Sequence, residues 1–396
     1  MLILGAFRFP KGDAAAKRVY GFGKYFRDEN YDITYISWGD ESKLGELAIY
    51  DGFKYVSVHE FNNGKGNIFF KIMKYLQMGS RTLNYLNKES LENVSVIIAY
   101  HGTSIFLIRL KVLCRKYNIK LILDCTEWYE YNDLAGGKYG IIALDNSFRM
   151  NIVNPIIGNL IVISSYLYDY YSNVENKIKI PFLINTENFN ITNLEIETKN
   201  IKLLYVGNPG KKDKFDILFK AIHNFNKNNN RKFYLDIYGL TLDDYKKNIS
   251  AKLANDINKK FISFKGRIDN SLVRKLYEKY HFSILLRPNE RYAIAGFPTK
   301  LVESLSYSTP IIASNVGDIN QYIKISSTGY LVNNLSEEEL IKIFILILSL
   351  SNKEYSNMRK KSFETAKINF EYKNEKKLID FINKENYTKE VNETII

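Results

Sequence analysis

The sequence predicts an α/β protein made of two Rossmann-like domains in tandem, each a mostly parallel sheet covered by helices. Its 396 residues exceed the length at which a single hydrophobic core keeps growing. Apolar residues make up 45% and charged residues 25%, the balance of a globular chain. Short apolar or β-branched runs alternate with longer stretches of helical period, and this alternation occurs twice.

In the first half the strand-like runs are Leu2–Leu4, Ile33–Ser37, Val94–Ala99, Lys120–Asp124 and Leu160–Ser164. In the second they are Ile201–Val206, Phe233–Tyr238, Phe261–Lys265, Phe282–Leu286 and Pro310–Ser314. A strand-like run from Ile178 to Asn185 leads into a polar, weakly periodic stretch, Thr186 to Asn200, which reads as a linker. The expected domains are residues 1–185 and 186–370. Ser336 to Lys384 has a helical pattern interrupted at Phe370-Glu371-Tyr372, and a C-terminal helix within 371–396 is expected to return to the first domain. The last residues read as a frayed end whose two Asn-x-Thr sequons carry no weight without an export signal.

Met1 to Ala6 lacks a basic leader and reads as a first strand. No run approaches the roughly 20 apolar residues of a spanning helix. Cys114 and Cys125 have no metal-ligand spacing and read as reduced, buried thiols. The expectation is a cytoplasmic protein, peripheral on the inner face of the cell membrane. A formal charge of +13 attracts phosphates, anionic lipids or nucleic acid; no reading helix or aromatic RNA platform is present, so nucleic acid is set aside.

Open α/β sheets bind ligands at the carboxyl ends of their strands, which places the expected site in the cleft between two such domains. The most informative run is Gly296-Phe297-Pro298-Thr299-Lys300-Leu301-Val302-Glu303, a Gly/Pro loop opening a helix. Thr299 fits an N-cap, the free N–H groups of the first turn suit a pyrophosphate, and Glu303 one turn on suits ribose hydroxyls. A capping device on a surface helix explains the same residues. Gly207-Asn208-Pro209-Gly210-Lys211-Lys212-Asp213-Lys214 follows a strand and precedes a helix, in outline a phosphate cradle, with a solvated turn as the plain alternative. The loop around Gly12 has small residues that let backbone approach a ligand. The run Asp124-Cys125-Thr126-Glu127-Trp128-Tyr129 ends a strand with two acids and two aromatics able to stack on sugar rings, and His101 ends another. A buried capping Asp and an interface Trp are the structural alternatives there.

The Gly296 to Glu303 run resembles the signature of family 4 glycosyltransferases, whose fold is GT-B, and in detail a subgroup of bacterial capsule, exopolysaccharide and O-antigen enzymes. The resemblance extends from Gly12 to about Phe370. It implies two Rossmann-like domains facing a central cleft and retaining, metal-independent hexosyl transfer from a nucleotide-sugar, UDP- or GDP-linked, with no cofactor. It assigns Glu303 to the ribose, Gly207 and Asn208 to the donor loop, and a family lysine to Lys211, Lys212 or Lys214, with Lys212 preferred as diphosphate ligand and leaving-group stabiliser. It places Arg267 beneath the nucleobase and Gly12 opposite the donor sugar. Gly296, Phe297, Pro298, Thr299 and Lys300 form the rest of the donor loop. The family's first Glu falls on Ala295, leaving Glu290 or Arg291 as stand-ins, and Asn208 replaces a family Arg. Asp124 and Glu127 are candidates for accepting the acceptor's proton, with His101, Trp128 and Tyr129 on the acceptor side. A GT-B epimerase or hydrolase and a non-catalytic paralogue are the alternatives.

From Phe61 to Lys88 there is no carboxylate, while Lys65, Lys71, Lys74, Arg81 and Lys88 alternate with apolar residues. Such a basic amphipathic segment suits an anionic membrane surface, and a lipid-linked saccharide is the expected acceptor. A helix packed on the first domain with a solvated basic face is the alternative.

Overall fold

The computed structural model describes residues 1–384 apart from 11, 13, 62–66, 132–133, 188, 190, 192–193, 210–212, 251 and 253–256. The chain forms two compact units: Met1–Leu183 together with the segment from Glu375 onward, and Ile184–Asn374.

The first unit runs β1 (Leu2–Gly5), α1 (Ala14–Asp28), β2 (Thr34–Ser37), β3 (Leu47–Tyr50), β4 (Phe53–Ser57), α2 (Ile68–Gln77), α3 (Ser80–Lys88), β5 (Val96–Tyr100), α4 (Ser104–Lys116) and β6 (Lys120–Cys125). It continues through α5 (Ile141–Phe148), a π turn (Arg149–Val153), α6 (Asn154–Ile157), β7 (Asn159–Val162), α7 (Ser165–Tyr170) and β8 (Asn176–Lys179). Its eight strands lie in the order β3-β4-β2-β1-β5-β6-β7-β8, all pairs parallel except β3 with β4. β5 and β6 are buried on both faces, which explains their unbroken apolar runs. The β3–β4 hairpin was not expected from the sequence. It turns on Asp51 and Gly52, both at positive φ, and β3 is an edge strand exposing Leu47 and Ile49.

The second unit runs β9 (Asn200–Val206), α8 (Phe215–Asn228), β10 (Lys232–Tyr238), α9 (Leu242–Asn248), β11 (Ile262–Gly266), α10 (Asn270–Tyr277), β12 (Phe282–Leu285) and α11 (Arg291–Ala295). Then come α12 (Thr299–Ser306), β13 (Ile311–Ser314), β14 (Gly329–Val332), α13 (Glu337–Leu348) and α14 (Asn352–Phe370). Strand order is β11-β10-β9-β12-β13-β14, every pair parallel. The order reverses beside β9, so the crevice at the carboxyl ends of β9 and β12 is this unit's switch point. α8, α13 and α14 cover the sheet with Leu218, Ile222, Phe344 and Met358, and Phe344 stacks on Phe233 at 4.2 Å.

The stretch expected to be a linker is packed on the second unit. Ile196 is fully buried, Arg231 donates to the carbonyls of Thr198, Ile196 and Leu348, and Thr186 donates through N and Oγ1 to Glu371 at 2.7 and 2.5 Å. Ile184 exchanges backbone bonds with Phe370 and Tyr372. A polar composition concealed this, because the polar atoms are spent on backbone partners. α15 (Lys377–Asn383) packs on the first unit, where Lys120 Nζ donates to the carbonyls of Phe381, Ile382 and Lys384.

Candidate functional site

At the switch point of the second unit, β9 ends on Tyr205 and Val206 and the chain turns at Gly207, whose φ of +126° favours glycine. A Cβ at Gly207 would also come within 2.9 Å of Lys300 Cε. Gly207 N donates to Tyr238 O and Gly239 N to Gly266 O, so the ends of β9, β10 and β11 are laced together through backbone. Asp213, buried just before α8, gathers the side chains of three elements. It accepts a hydrogen bond from Tyr205, and Lys300 Nζ and Arg287 Nε each lie 3.5 Å from one of its oxygens. Lys300 also donates to the Tyr205 hydroxyl at 2.7 Å. Two cations share this one buried carboxylate, and Glu303 also acts on Lys300. Arg287 Nε makes no hydrogen bond among the described residues. Burial pulls the Lys300 ammonium below its usual range, with Asp213 opposing. An anion seated here would favour the charged form.

One turn into α12, Glu303 is half-buried and accepts a hydrogen bond from Tyr277. Thr299 is the first helical residue; the N-cap is Pro298, with no side-chain cap, which corrects the expected Thr299 cap. Phe297, expected in the donor loop, packs in the core. It is buried edge-on against Tyr322 and Phe370 at 5.5 and 5.9 Å. Arg267 is exposed after Gly266, and Asn208 is exposed after Gly207. Lys214 is half-buried, its N–H bonded to Leu286 O. Lys211 and Lys212 lie outside the described residues.

In the first unit Asp124 is fully buried and held by Arg18 through two bonds of 2.7 Å, while Arg18 also donates to the carbonyls of Ile180 and Pro181. Both carboxylate oxygens are thereby committed, so the geometry makes Asp124 an anchor of α1 to β6 and leaves Glu127 the more accessible carboxylate. Glu127 is exposed and accepts a bond from Tyr129. Trp128 packs edge-on against Tyr166 and Tyr170.

His101, at φ +54°, is buried in a directed chain. Arg149 can only donate, so it fixes His101 Nδ1 as acceptor at 3.2 Å. Nε2–H then donates to Thr126 Oγ1 at 2.7 Å, and Thr126 donates to the Tyr100 hydroxyl at 3.2 Å. Burial, reinforced by Arg149, lowers the His101 pKa to about 4, so the ring is neutral at pH 7. Gly12 lies in the loop before α1, where a Cβ would clash with Arg8. Among the described residues no group of three or more His, Cys, Asp or Glu side chains is placed to hold a metal ion.

Residues 186–365 match the family model described as Glycosyl transferases group 1. The match covers most of the second unit, Ile184–Asn374. No curated protein matches the chain. Solved structures match nearly its whole length. Sucrose-phosphate synthase from Thermosynechococcus elongatus is 14% identical with a TM-score of 0.70, covering 94% of this chain and 95% of that one. TarM from S. aureus, in complex with fondaparinux, α-GlcNAc-glycerol and UDP, is 13% identical at TM-score 0.68, covering 97% and 99%. HepE from Anabaena, in complex with UDP and glucose, is 11% identical at TM-score 0.61, covering 96% and 99%. At these identities the likeness shows the fold, which is GT-B.

The second unit brings Gly207, Asp213, Lys300 and Glu303 to the carboxyl edge of its sheet, and the first unit brings Asp124, Glu127, Trp128, Tyr129 and His101 to the carboxyl edge of its own. Sequence reasoning missed Arg287, Asp213 and Tyr205. The available signal was Arg287 itself, a cation directly after an apolar strand and before Pro288.

Proposed function

We propose that this glycosyltransferase moves a hexose from a UDP- or GDP-linked donor to a lipid-linked saccharide at an anionic membrane surface, in the assembly of a surface polysaccharide. The observation that carries the donor assignment is the Arg287–Asp213–Lys300 cluster beside Gly207 and Glu303, at the switch point where an α/β sheet takes phosphate. Lys300, Arg287 and Lys212 hold the diphosphate. The N-terminus of α12 adds its dipole, and Glu303 accepts from the ribose. As the bond from the anomeric carbon to the diphosphate oxygen breaks, these cations stabilise the charge that develops on the leaving group. The acceptor hydroxyl attacks the anomeric carbon from the same face, giving retention, and its proton passes to Glu127 or to the departing diphosphate. In this reading the cations do the work otherwise given to a divalent metal. Support for a saccharide acceptor comes from TarM, whose complex holds UDP and α-GlcNAc-glycerol, and from the neighbour named as the lipopolysaccharide outer core galactosyltransferase WaaB, 13% identical.

The membrane side of the reading draws on α2, which exposes Phe70, Lys71 and Met73 and lays Lys74 over Phe70 at 5.4 Å. Lys65 of the basic segment lies outside the described residues; from Ile68 to Lys88 the segment is two helices, broken at Met78-Gly79, and α3 buries Thr82, Leu83 and Leu86 against the unit. Among the described residues no helix is long and apolar enough to cross a membrane.

The test is a scan of nucleotide-sugars for release of nucleoside diphosphate, with and without a membrane lipid extract, comparing wild type with Glu303→Ala and Lys212→Ala. Release that needs the extract and collapses in both variants supports the reading. Release without any acceptor points to a hydrolase or epimerase.

A further inference from the structure

α4 and the α5–π–α6 helix of the first unit leave between them a groove of about 230 Å³ whose walls are apolar. Ile108 and Val112 of α4 line one side; Phe148, Ile152 and Ile156 line the other. These five side chains are 44 to 63% exposed. Exposed apolar residues scattered singly need no explanation, but a contiguous set does. On the second wall the spacing is four residues, and Leu144, 57% exposed, continues the stripe one turn further. The opposite face of the same helix, at Ala143, Asn146, Met150, Asn154 and Ile157, is buried. The stripe is therefore an amphipathic helix with its second apolar face turned outward.

The charge lining the groove has one sign, and the exposed Glu175 shares the adjoining cavity with Lys111 and Arg115. Its lining holds Lys111 and Arg115 and no carboxylate, and α4 adds the exposed Arg109 and Lys116 with no acid anywhere along it. The carboxylate of α5, Asp145, is engaged by Tyr75 Oη at 2.7 Å and by Ser104 N at 3.1 Å. The Tyr75 bond also ties α5 to α2.

We propose that this α4/α5–α6 face is a docking surface for an anionic lipid bilayer, inserting Phe148, Ile152, Ile156, Ile108 and Val112 among the acyl chains while the exposed Arg109, Arg115 and Lys116 meet the headgroups and Lys111 donates to the Ile156 carbonyl within the groove. A second copy of the chain is the poorer occupant. A two-fold interface sets the same patch against itself and brings Lys111 and Arg115 of one copy toward those of the other, against a groove lining that holds no acid. The proposal rests on the membrane-associated acceptor of the proposed function and locates where the enzyme sits.

The full chain is co-sedimented with vesicles of phosphatidylcholine alone and with about a third phosphatidylglycerol. The variants are the double Phe148→Ser/Ile152→Ser, the double Arg115→Gln/Lys116→Gln, and Lys71→Gln/Lys74→Gln on α2. Because the altered positions are exposed, apart from the half-buried Lys74, the melting temperature should hold, and it is measured for each. The expected result is binding to the anionic vesicles only, weakened about tenfold or more by either α4/α5 double variant and by raised salt. Equal binding by wild type and the Phe148/Ile152 variant, loss confined to the Lys71/Lys74 variant, or dimerisation in solution abolished by Phe148→Ser/Ile152→Ser each overturns it. Turnover of nucleotide-sugar with a water-soluble acceptor is followed in parallel. Vesicle binding without turnover sinks the transferase reading and leaves the surface standing; turnover without vesicle binding does the reverse.

Discussion

Lys300 Nζ lies 3.5 Å from Asp213 Oδ2, and Arg287 reaches the other oxygen of the same buried carboxylate. Asp213 thus keeps two cations together where their mutual repulsion would otherwise be large. Asp213→Asn is expected to destabilise the ligand-free protein by about 2–4 kcal/mol, since it leaves buried charge uncompensated. A bound nucleoside diphosphate should restore part of that loss, so its effect on the melting temperature should be larger in the variant than in wild type. A smaller effect in the variant would contradict the diphosphate assignment.

Asp124 holds Arg18 by two short bonds, and Arg18 is itself only 2% exposed. Asp124→Asn should lower stability by about 3–5 kcal/mol, the cost of orphaning a buried charge, as read by urea unfolding. Glu127→Gln should leave stability within about 0.5 kcal/mol, as for most exposed positions, while lowering turnover. If Asp124→Asn instead abolished turnover with an unchanged unfolding midpoint, Asp124 would belong to the chemistry.

His101 and His281 are both buried and held neutral. His281 Nδ1 accepts from Lys202 N, and burial lowers each pKa from 6.5 to about 4. The unfolded chain binds more protons than the folded one between these values, so stability is present above pH 6.5 and falls as the pH drops toward 4. The loss should reach roughly 3 kcal/mol per histidine at the lower end. Unfolding free energies measured from pH 7 to 4 should show this slope, and His101→Gln should flatten it.

Glu371 is buried and accepts both bonds from Thr186, fixing the start of the second unit to its last helix. Glu371→Ala should cost about 2 kcal/mol by leaving the Thr186 donors without their partner. Limited proteolysis should then cut near residue 186 before elsewhere; an unchanged digestion pattern would argue against the clasp.

Much of the fold was legible because buried parallel strands announce themselves as apolar runs: the ten strand runs read from the sequence all correspond to strands of the two sheets. The edge strand β3 was not, since an edge strand needs no such run; the inner strand β4 and the strand β14 were also missed. The site was legible where a residue type implies its chemistry, as with the turn at Gly207. It was not where burial decides the role. Phe297 sits in a ligand-like sequence yet packs inward on Tyr322 and Phe370, and Arg287 and Asp213 meet only because β12 lies next to β9. No spacing along the chain encodes that neighbourhood.

The most direct test of the central claim is calorimetric titration of the full chain with UDP and GDP, and with uridine and guanosine, in wild type and in Arg287→Gln/Lys300→Met. The account predicts that one diphosphate binds, that its nucleoside binds at least about tenfold more weakly, and that the double variant erases the difference between the two. A variant that binds the diphosphate as wild type does would contradict the account, as would a nucleoside binding as tightly as its diphosphate.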